Sequence, residues 1–221
     1  MKKIFSSILF LILFSRIGSA QYEPAYGTTK AEPKSLKACY LGLGTGIYGK
    51  YGFLGLDFGV RLSPKTLAEV NLGIGGWGSK AGFSFTTFAG ASNTWCPSIG
   101  FTRNSGAALP SMDSKVNLPN SNEEVTVTSD MIYNPVNIIH LSVQKQFVST
   151  KGNRFFIELG YSLAINEVKV EFDQPTLVYK GTTYNTSDLK FSNVQTAAHK
   201  AQAPNGINIS LGYQFGLGKY N

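Results

Sequence analysis

Residues Ile207 to Leu217 alternate without a break. Ile207, Ile209, Leu211, Tyr213, Phe215 and Leu217 fall on one face, and Asn208, Ser210, Gly212, Gln214 and Gly216 on the other. Successive side chains of a strand point to opposite faces, so a sustained period of two demands a β-strand with one apolar face and excludes an amphipathic helix. Phe155 to Ile165 repeats the pattern: Phe155, Ile157, Leu159, Tyr161, Leu163 and Ile165 stand opposite Glu158, Gly160, Ser162 and Ala164, with Phe156 the single misfit. Leu54 to Leu62 sets Leu54, Leu56, Phe58, Val60 and Leu62 against Gly55, Asp57, Gly59 and Arg61. Weaker versions run from Leu41 to Tyr48, Ala68 to Trp77, Phe83 to Ala89, Trp95 to Arg103 and Ile139 to Phe147. No segment after residue 20 keeps an apolar period near 3.6, so the chain reads as nearly all β, one domain spanning 36–217.

Eight such segments, read as strands of about 9 to 13 residues, suit an antiparallel up-and-down barrel, since crossing hydrocarbon takes about 9 to 11 tilted residues. The expected fold class is therefore a transmembrane β-barrel of about eight strands. An even strand count returns both termini to one side. On that side the connections are short (Ser63 to Lys65, Gly90 to Asn93, Ser149 to Asn153), whereas two on the other side are long, Asn104 to Pro135 and Glu167 to Pro204. A soluble β-sandwich would alternate similarly, but its water-facing positions should carry Lys, Glu and Thr. Here they are mostly Gly, Ser and Asn; Gly42, Gly44, Gly46, Gly73 and Gly75 would weaken an exposed strand yet fit a crowded lumen. Outward aromatics are expected in two bands, Trp95, Phe147, Phe155 and Phe215 near the turns and Phe83 and Phe101 nearer the loops. Two residues fit less well: Pro97 lacks a ladder donor, which calls for a bulge or a later strand start, and Lys145 has lipid-facing parity and must snorkel.

Met1, Lys2 and Lys3, the apolar run Ile4 to Phe14, and Gly18-Ser19-Ala20 read as a cleaved secretory signal peptide over residues 1–20. Its apolar run is too short for a membrane-spanning helix. Cys39 is the first cysteine, which argues against lipid modification at Gln21. Residues 21–35, with two prolines and no alternation, read as a flexible lead-in. Loss of Lys2, Lys3 and Arg16 lowers the formal charge from +7 to +4, and no dense Lys/Arg cluster suggests a nucleic-acid partner. An exported protein can pair Cys39 with Cys96, although strand parity puts them far apart with opposite facing.

The signal peptide, the alternating short strands and the Ile207 to Leu217 segment resemble the small outer-membrane barrel superfamily that includes the OmpA membrane domain and OmpW. The resemblance implies location in a bacterial outer membrane, outer-membrane lipid as surroundings, and the barrel-assembly machinery as a partner during biogenesis. In that superfamily the final strand ends in an aromatic residue; here Gly216 to Asn221 follow Phe215, so the signal is displaced or Tyr220 serves.

Parity points Asp57, Arg61, Glu69, His140, Gln144, Glu158 and Gln214 into the lumen, where buried charges must pair. Arg61 and Glu69 flank one turn and are expected to form an ion pair. His140, Ser142 and Glu158 share one parity on adjacent strands and resemble the triad of the outer-membrane lipid A deacylases, a His-x-Ser-Asn run with a Glu on the next strand. Val143 replaces that Asn, the family's triad faces lipid rather than lumen, and Glu158 falls opposite Gln144. His199 has no ligand-spaced partner, and neither a metal nor a cofactor is implied. Loop 104–135 is net acidic; loop 167–204 suggests an extension of the preceding strand through Val168, Val170 and Phe172, with Thr176 to Tyr179 returning beside it. Both loops are candidate sites for an extracellular ligand. The readings left open are a structural or surface-interaction barrel with a plugged lumen, a narrow pore for small solutes, a deacylase-like barrel enzyme and a soluble secreted β-sandwich.

Overall fold

The computed structural model describes residues 37–88, 95–119 and 123–220. The signal peptide, the lead-in and the turn at 90–93 lie outside the described residues. Eight strands close into an antiparallel barrel: β1 (Cys39–Ile47), β2 (Leu54–Ser63), β3 (Thr66–Gly75), β4 (Gly78–Thr87), β5 (Trp95–Asn104), β8 (Val136–Val148), β9 (Arg154–Ala164) and β14 (Gly206–Leu217). Around the ring the order is β1-β14-β9-β8-β5-β4-β3-β2, an up-and-down barrel closed by β1 on β14 from Cys39↔Leu217 to Ile47↔Ile209.

The alternation read from the sequence sets the facing. Leu41, Leu43, Leu56, Val70, Leu72, Ile99, Leu159, Leu163, Ile207 and Leu211 are all exposed on the outer wall, while the opposite parity is buried and mostly polar. Leu72 is 62% exposed and Ile207 67%. The barrel thus inverts the usual partition, in which polar groups meet water and apolar groups fill the interior. Near the turns Phe147 packs on Phe155 with ring centroids 5.9 Å apart, and Tyr213 meets Phe215 at 4.9 Å. Phe83 and Phe101, expected nearer the loops, pair in register around mid-height, 5.8 Å apart. The Lys145 ammonium lies 5.5 Å from the Trp95 ring centre, a cation–ring contact.

Pro97 needs neither a bulge nor a late start. β5 runs through it in unbroken register with β8 (Pro97↔Val143), and the ladder to β4 ends at Ser98↔Thr86, one residue before it, so no β4 bond is asked of its nitrogen. Cys39 and Cys96 form no disulfide; β1 and β5 stand on opposite sides of the ring.

The two long connections are not loose loops. β6 (Ala107–Asn117) and β7 (Glu124–Tyr133) form a hairpin, flanked by β10 (Val170–Phe172) and β13 (Lys190–Phe191) in the order β10-β7-β6-β13. β11 (Thr176–Tyr179) and β12 (Thr182–Asn185) form a second hairpin, and helix α1 (Asn193–Gln202) follows, its first turn capped by the Ser192 hydroxyl, which accepts from the Gln195 amide. Two expectations are corrected here. β10 does not prolong β9 but pairs with β7 (Val170↔Tyr133), and Thr176 to Tyr179 pairs with β12, because the Lys180-Gly181 turn, with both residues at positive φ, folds that segment back on its own neighbour. Together these elements make a cap with its own apolar core of Val116, Leu118, Val125, Val127, Leu177 and Leu189.

Candidate functional site

The densest polar chemistry lies inside the barrel. Asp57, Arg61, Glu69, His140, Gln144, Glu158 and Gln214 are all buried there, at 6% exposure or less. The feature the sequence did not announce is the connection between β1 and β2. Instead of standing clear of the barrel, residues 49–52 turn inward, and Lys50 and Tyr51 are fully enclosed. The glycines of β1, β2 and β3 make this possible. A Cβ on Gly44 would lie 2.6 Å from the Tyr51 ring, and one on Gly73 would lie 2.1 Å from the Tyr51 carbonyl oxygen. Only a bare backbone leaves room for the inserted segment.

Lys50 sits among the carboxylates. Its Nζ donates to Glu69 Oε2 at 2.8 Å and to Ser84 Oγ at 3.1 Å, and stands 3.7 Å from Glu158 Oε2. The Tyr51 hydroxyl donates to Asp57 Oδ2. Gln214 on β14 donates to both Asp57 Oδ2 and Glu69 Oε1 at 2.7 Å, tying the closing strand to β2 and β3. On the far wall Gln144 donates to Glu158 Oε2 at 2.7 Å, Ser142 to Glu158 Oε1 at 3.0 Å, and Gln146 to Gln144 Oε1 at 3.0 Å. A connected network thus occupies the interior, the 3.7 Å contact between Lys50 and Glu158 joining its two walls.

The expected Arg61–Glu69 ion pair does not form. Arg61 turns to the mouth on the turn side, donating to the carbonyls of Lys37 (3.0 Å) and Pro64 (3.1 Å) and to the Tyr40 hydroxyl (3.0 Å). Glu69 faces inward to Lys50, with Arg154 Nη2 at 3.8 Å. Sequence spacing put the two residues beside each other, but an inserted lysine, invisible to strand parity, claimed the carboxylate. Arg154 was legible: it extends the lumen parity of Phe156 and Glu158 by one step, just before the first residue counted in that strand.

His140, Ser142 and Glu158 share the lumen but not a triad. His140 lies opposite Ser162 in register and Glu158 opposite Gln144. The imidazole is hydrogen-bonded to Thr102 Oγ1 (2.8 Å) and Ser162 Oγ (2.7 Å), whereas Ser142 bonds Glu158 directly. No base is thereby placed between hydroxyl and carboxylate, the relay a nucleophilic serine needs.

Above the lumen the cap closes the loop-side mouth. Trp77, in the β3–β4 turn, stacks on Tyr133 at 4.2 Å and donates to the Asn134 carbonyl, over Val136, Ile138 and Ala203. His199 of α1 is buried edge-on against Tyr133 (6.0 Å) and Phe191 (5.0 Å), 3.2 Å from the Gln195 amide nitrogen. Burial holds its pKa below the usual value of 6.5. Tyr48 joins cap to plug: its hydroxyl donates to the Ala201 carbonyl of α1 and its own carbonyl accepts from Ser162 Oγ.

No family model matches this chain, and neither a curated protein nor a solved structure does.

Proposed function

We propose that this chain is a bacterial outer-membrane β-barrel with a structural or surface-presenting role, its lumen plugged and its cap held outside the cell. The observation that carries this reading is the inverted partition: a closed ring of strands with leucine, isoleucine, valine and phenylalanine exposed all around its wall and a charged, hydrogen-bonded interior. An apolar wall of this extent is stable only against hydrocarbon, and a ring without edges leaves no backbone group unpaired there. The signal-peptide pattern of Met1 to Ala20 agrees with export, and barrel topology with short turns on the side of the termini agrees with a periplasmic location for them. Conduction would require Lys50 and Tyr51 to leave the lumen, which the network opposes.

Two measurements test the proposal together. The protein extracted from outer-membrane fractions should shift its gel mobility on heating, and trypsin added to intact cells should cut at the exposed Lys180 turn of the cap while sparing residues 21–35. Recovery in the soluble fraction without a heat shift overturns the membrane reading, and cleavage confined to the N-terminal segment inverts the orientation.

A further inference from the structure

Among the described residues four cations are buried in the barrel, Lys50, Arg61, Lys80 and Arg154, against three carboxylates, Asp57, Glu69 and Glu158. The imbalance is not spread evenly. Lys50 is held by Glu69 and Glu158, and Lys80 donates to the Gly49 carbonyl at 3.0 Å. The two guanidiniums instead gather at the turn-side mouth, against the same two rings: Arg61 Cζ lies 4.6 Å from the Phe88 ring centre and 5.7 Å from that of Tyr40, and Arg154 Cζ lies 5.1 Å and 4.6 Å from them. The Lys37 stem crosses the same mouth, its Cγ lying 2.4 Å from where a Cβ on Gly216 would stand. Among the described residues no carboxylate lies within ion-pair distance of Arg61.

Arg154 is the telling residue. It is 1% exposed, yet Nε, Nη1 and Nη2 have no hydrogen-bond partner. Its sole carboxylate contact, Glu69 Oε1 at 3.8 Å, is too long for a hydrogen bond, and that oxygen already accepts from Gln214. A buried guanidinium with every nitrogen unpaired is costly, and its planar fork matches the two oxygens of a carboxylate or phosphate. Arg61 is already oriented by two backbone carbonyls and the Tyr40 hydroxyl, and so contributes charge at a fixed position.

We infer that the turn-side mouth of the barrel is an oxyanion-binding site, in which Arg154 takes a phosphate or carboxylate group through its guanidinium fork, with Arg61 and Lys37 supplying further positive charge. The site belongs to the barrel itself and goes beyond the surface-presenting role; it stands whatever bilayer surrounds the wall. The phosphate can come from solution or from a lipid headgroup at that edge.

The test uses the full mature protein folded in detergent micelles with labelled arginine side chains. Arg61, Arg103 and Arg154 are the arginines that follow the signal segment, and Arg103 points outward on β5, so it serves as the internal control. Titration with inorganic phosphate, and separately with acetate, at constant ionic strength should shift the Nε–Hε signals of Arg154 and Arg61 saturably and leave Arg103 unmoved. Arg154→Gln, checked for heat-shifted mobility, should weaken the apparent affinity about tenfold to a hundredfold, the loss expected for a charge-assisted bond. Transfer to phosphatidylglycerol nanodiscs without phosphate identifies a headgroup source if the same shift appears there and not in phosphatidylcholine; a shift with soluble anion alone identifies a soluble ligand. If Arg154→Gln does not fold, the wild-type titration decides. Saturation by neither phosphate, acetate nor phosphatidylglycerol, or equal shifts at all three arginines, overturns the site.

Discussion

The barrel and the cap are built from one chain by opposite rules. In the barrel, Leu211, Ile207 and Leu72 face outward while Glu69, Lys50 and Gln214 are enclosed; in the cap, Val125, Val127 and Leu177 are enclosed while Glu124, Thr126 and Thr128 face outward. The strand pattern alone does not reveal which face is the inside, since Glu124 to Tyr133 also alternates, through Val125, Val127, Met131 and Tyr133, with Ser129 and Ile132 out of step. What differs is the chemistry of the polar parity. Barrel strands place glycine, serine and amides there, which fit a confined interior, whereas cap strands place glutamate, threonine and lysine, which suit water. A charge therefore means different things in the two regions: structural inside the barrel, incidental on the cap.

The ion pairs offer the sharpest way to break that comparison. Glu69→Gln leaves Lys50 and Arg154 short of their main countercharge in a buried site, and should cost roughly 3 to 5 kcal/mol of stability. Glu124→Gln removes the half-exposed partner of Lys115, 3.2 Å away, and should cost under about 1 kcal/mol. Denaturant titration of both variants, followed by heat-shifted mobility, decides; equal losses would mean that the lumen is hydrated rather than closed.

Substitution on the apolar wall comes next. Leu211→Arg should cost about 2 to 4 kcal/mol if hydrocarbon surrounds the barrel, whereas Leu211→Phe should be tolerated. The cap residue Val178, more exposed than Leu211, should accept Arg within about 0.5 kcal/mol. Gly212→Phe, on the other parity of the same strand as Leu211, places its Cβ 2.3 Å from Phe156 Cζ and should cost roughly 1 to 3 kcal/mol. Folded fractions in lipid measure all four.

A smaller effect separates the regions themselves. Val127→Ala removes two buried carbons from the cap core, worth roughly 2 kcal/mol, and should expose cap amides to hydrogen exchange while leaving the heat shift of the barrel intact. Loss of both would show one cooperative unit.

The smallest effect is in pH. Because burial lowers the pKa of His199 below 6.5, the unfolded cap binds the proton more readily; stability conferred by docking α1 is full above that value and falls as the pH drops below it. The protection factors of the α1 amides, taken relative to intrinsic exchange at each pH, should fall in mild acid, and His199→Gln should flatten the dependence. An unchanged slope in the variant would assign the titration elsewhere.

How far the sequence reveals this molecule depends on whether a contact is periodic. β14, β9 and β2 were legible because every second residue is apolar, and the lumen residues followed from the same count. The Val125-Thr126-Val127-Thr128 run and the Lys180-Gly181 turn carry equally readable strand and hairpin signals, but they lie within long connections whose length alone suggests loops. Lys50 and Tyr51 carried no such signal. Their burial results from an inward turn whose only trace is the run of glycines on β1, β2 and β3, a pattern that fits a tight lumen without saying what fills it. The pairing of β10 with β7 and the meeting of Tyr48 with Ala201 join residues far apart in sequence, which no local pattern specifies.

Gln214 has a consequence for the order of assembly. It sits on β14 and bridges Asp57 and Glu69 across the closing seam, from a point 157 and 145 residues further along the chain. Until β14 docks on β1 the two carboxylates lack that shared donor and the ring has two open edges, so the most sequence-distant contacts have to form before the interior is satisfied. Such topologies fold slowly, since the entropy of closing long loops precedes the reward. The last strand thus acts as the timing step of folding, and a chain stalled before it presents unpaired edges to any neighbouring strand.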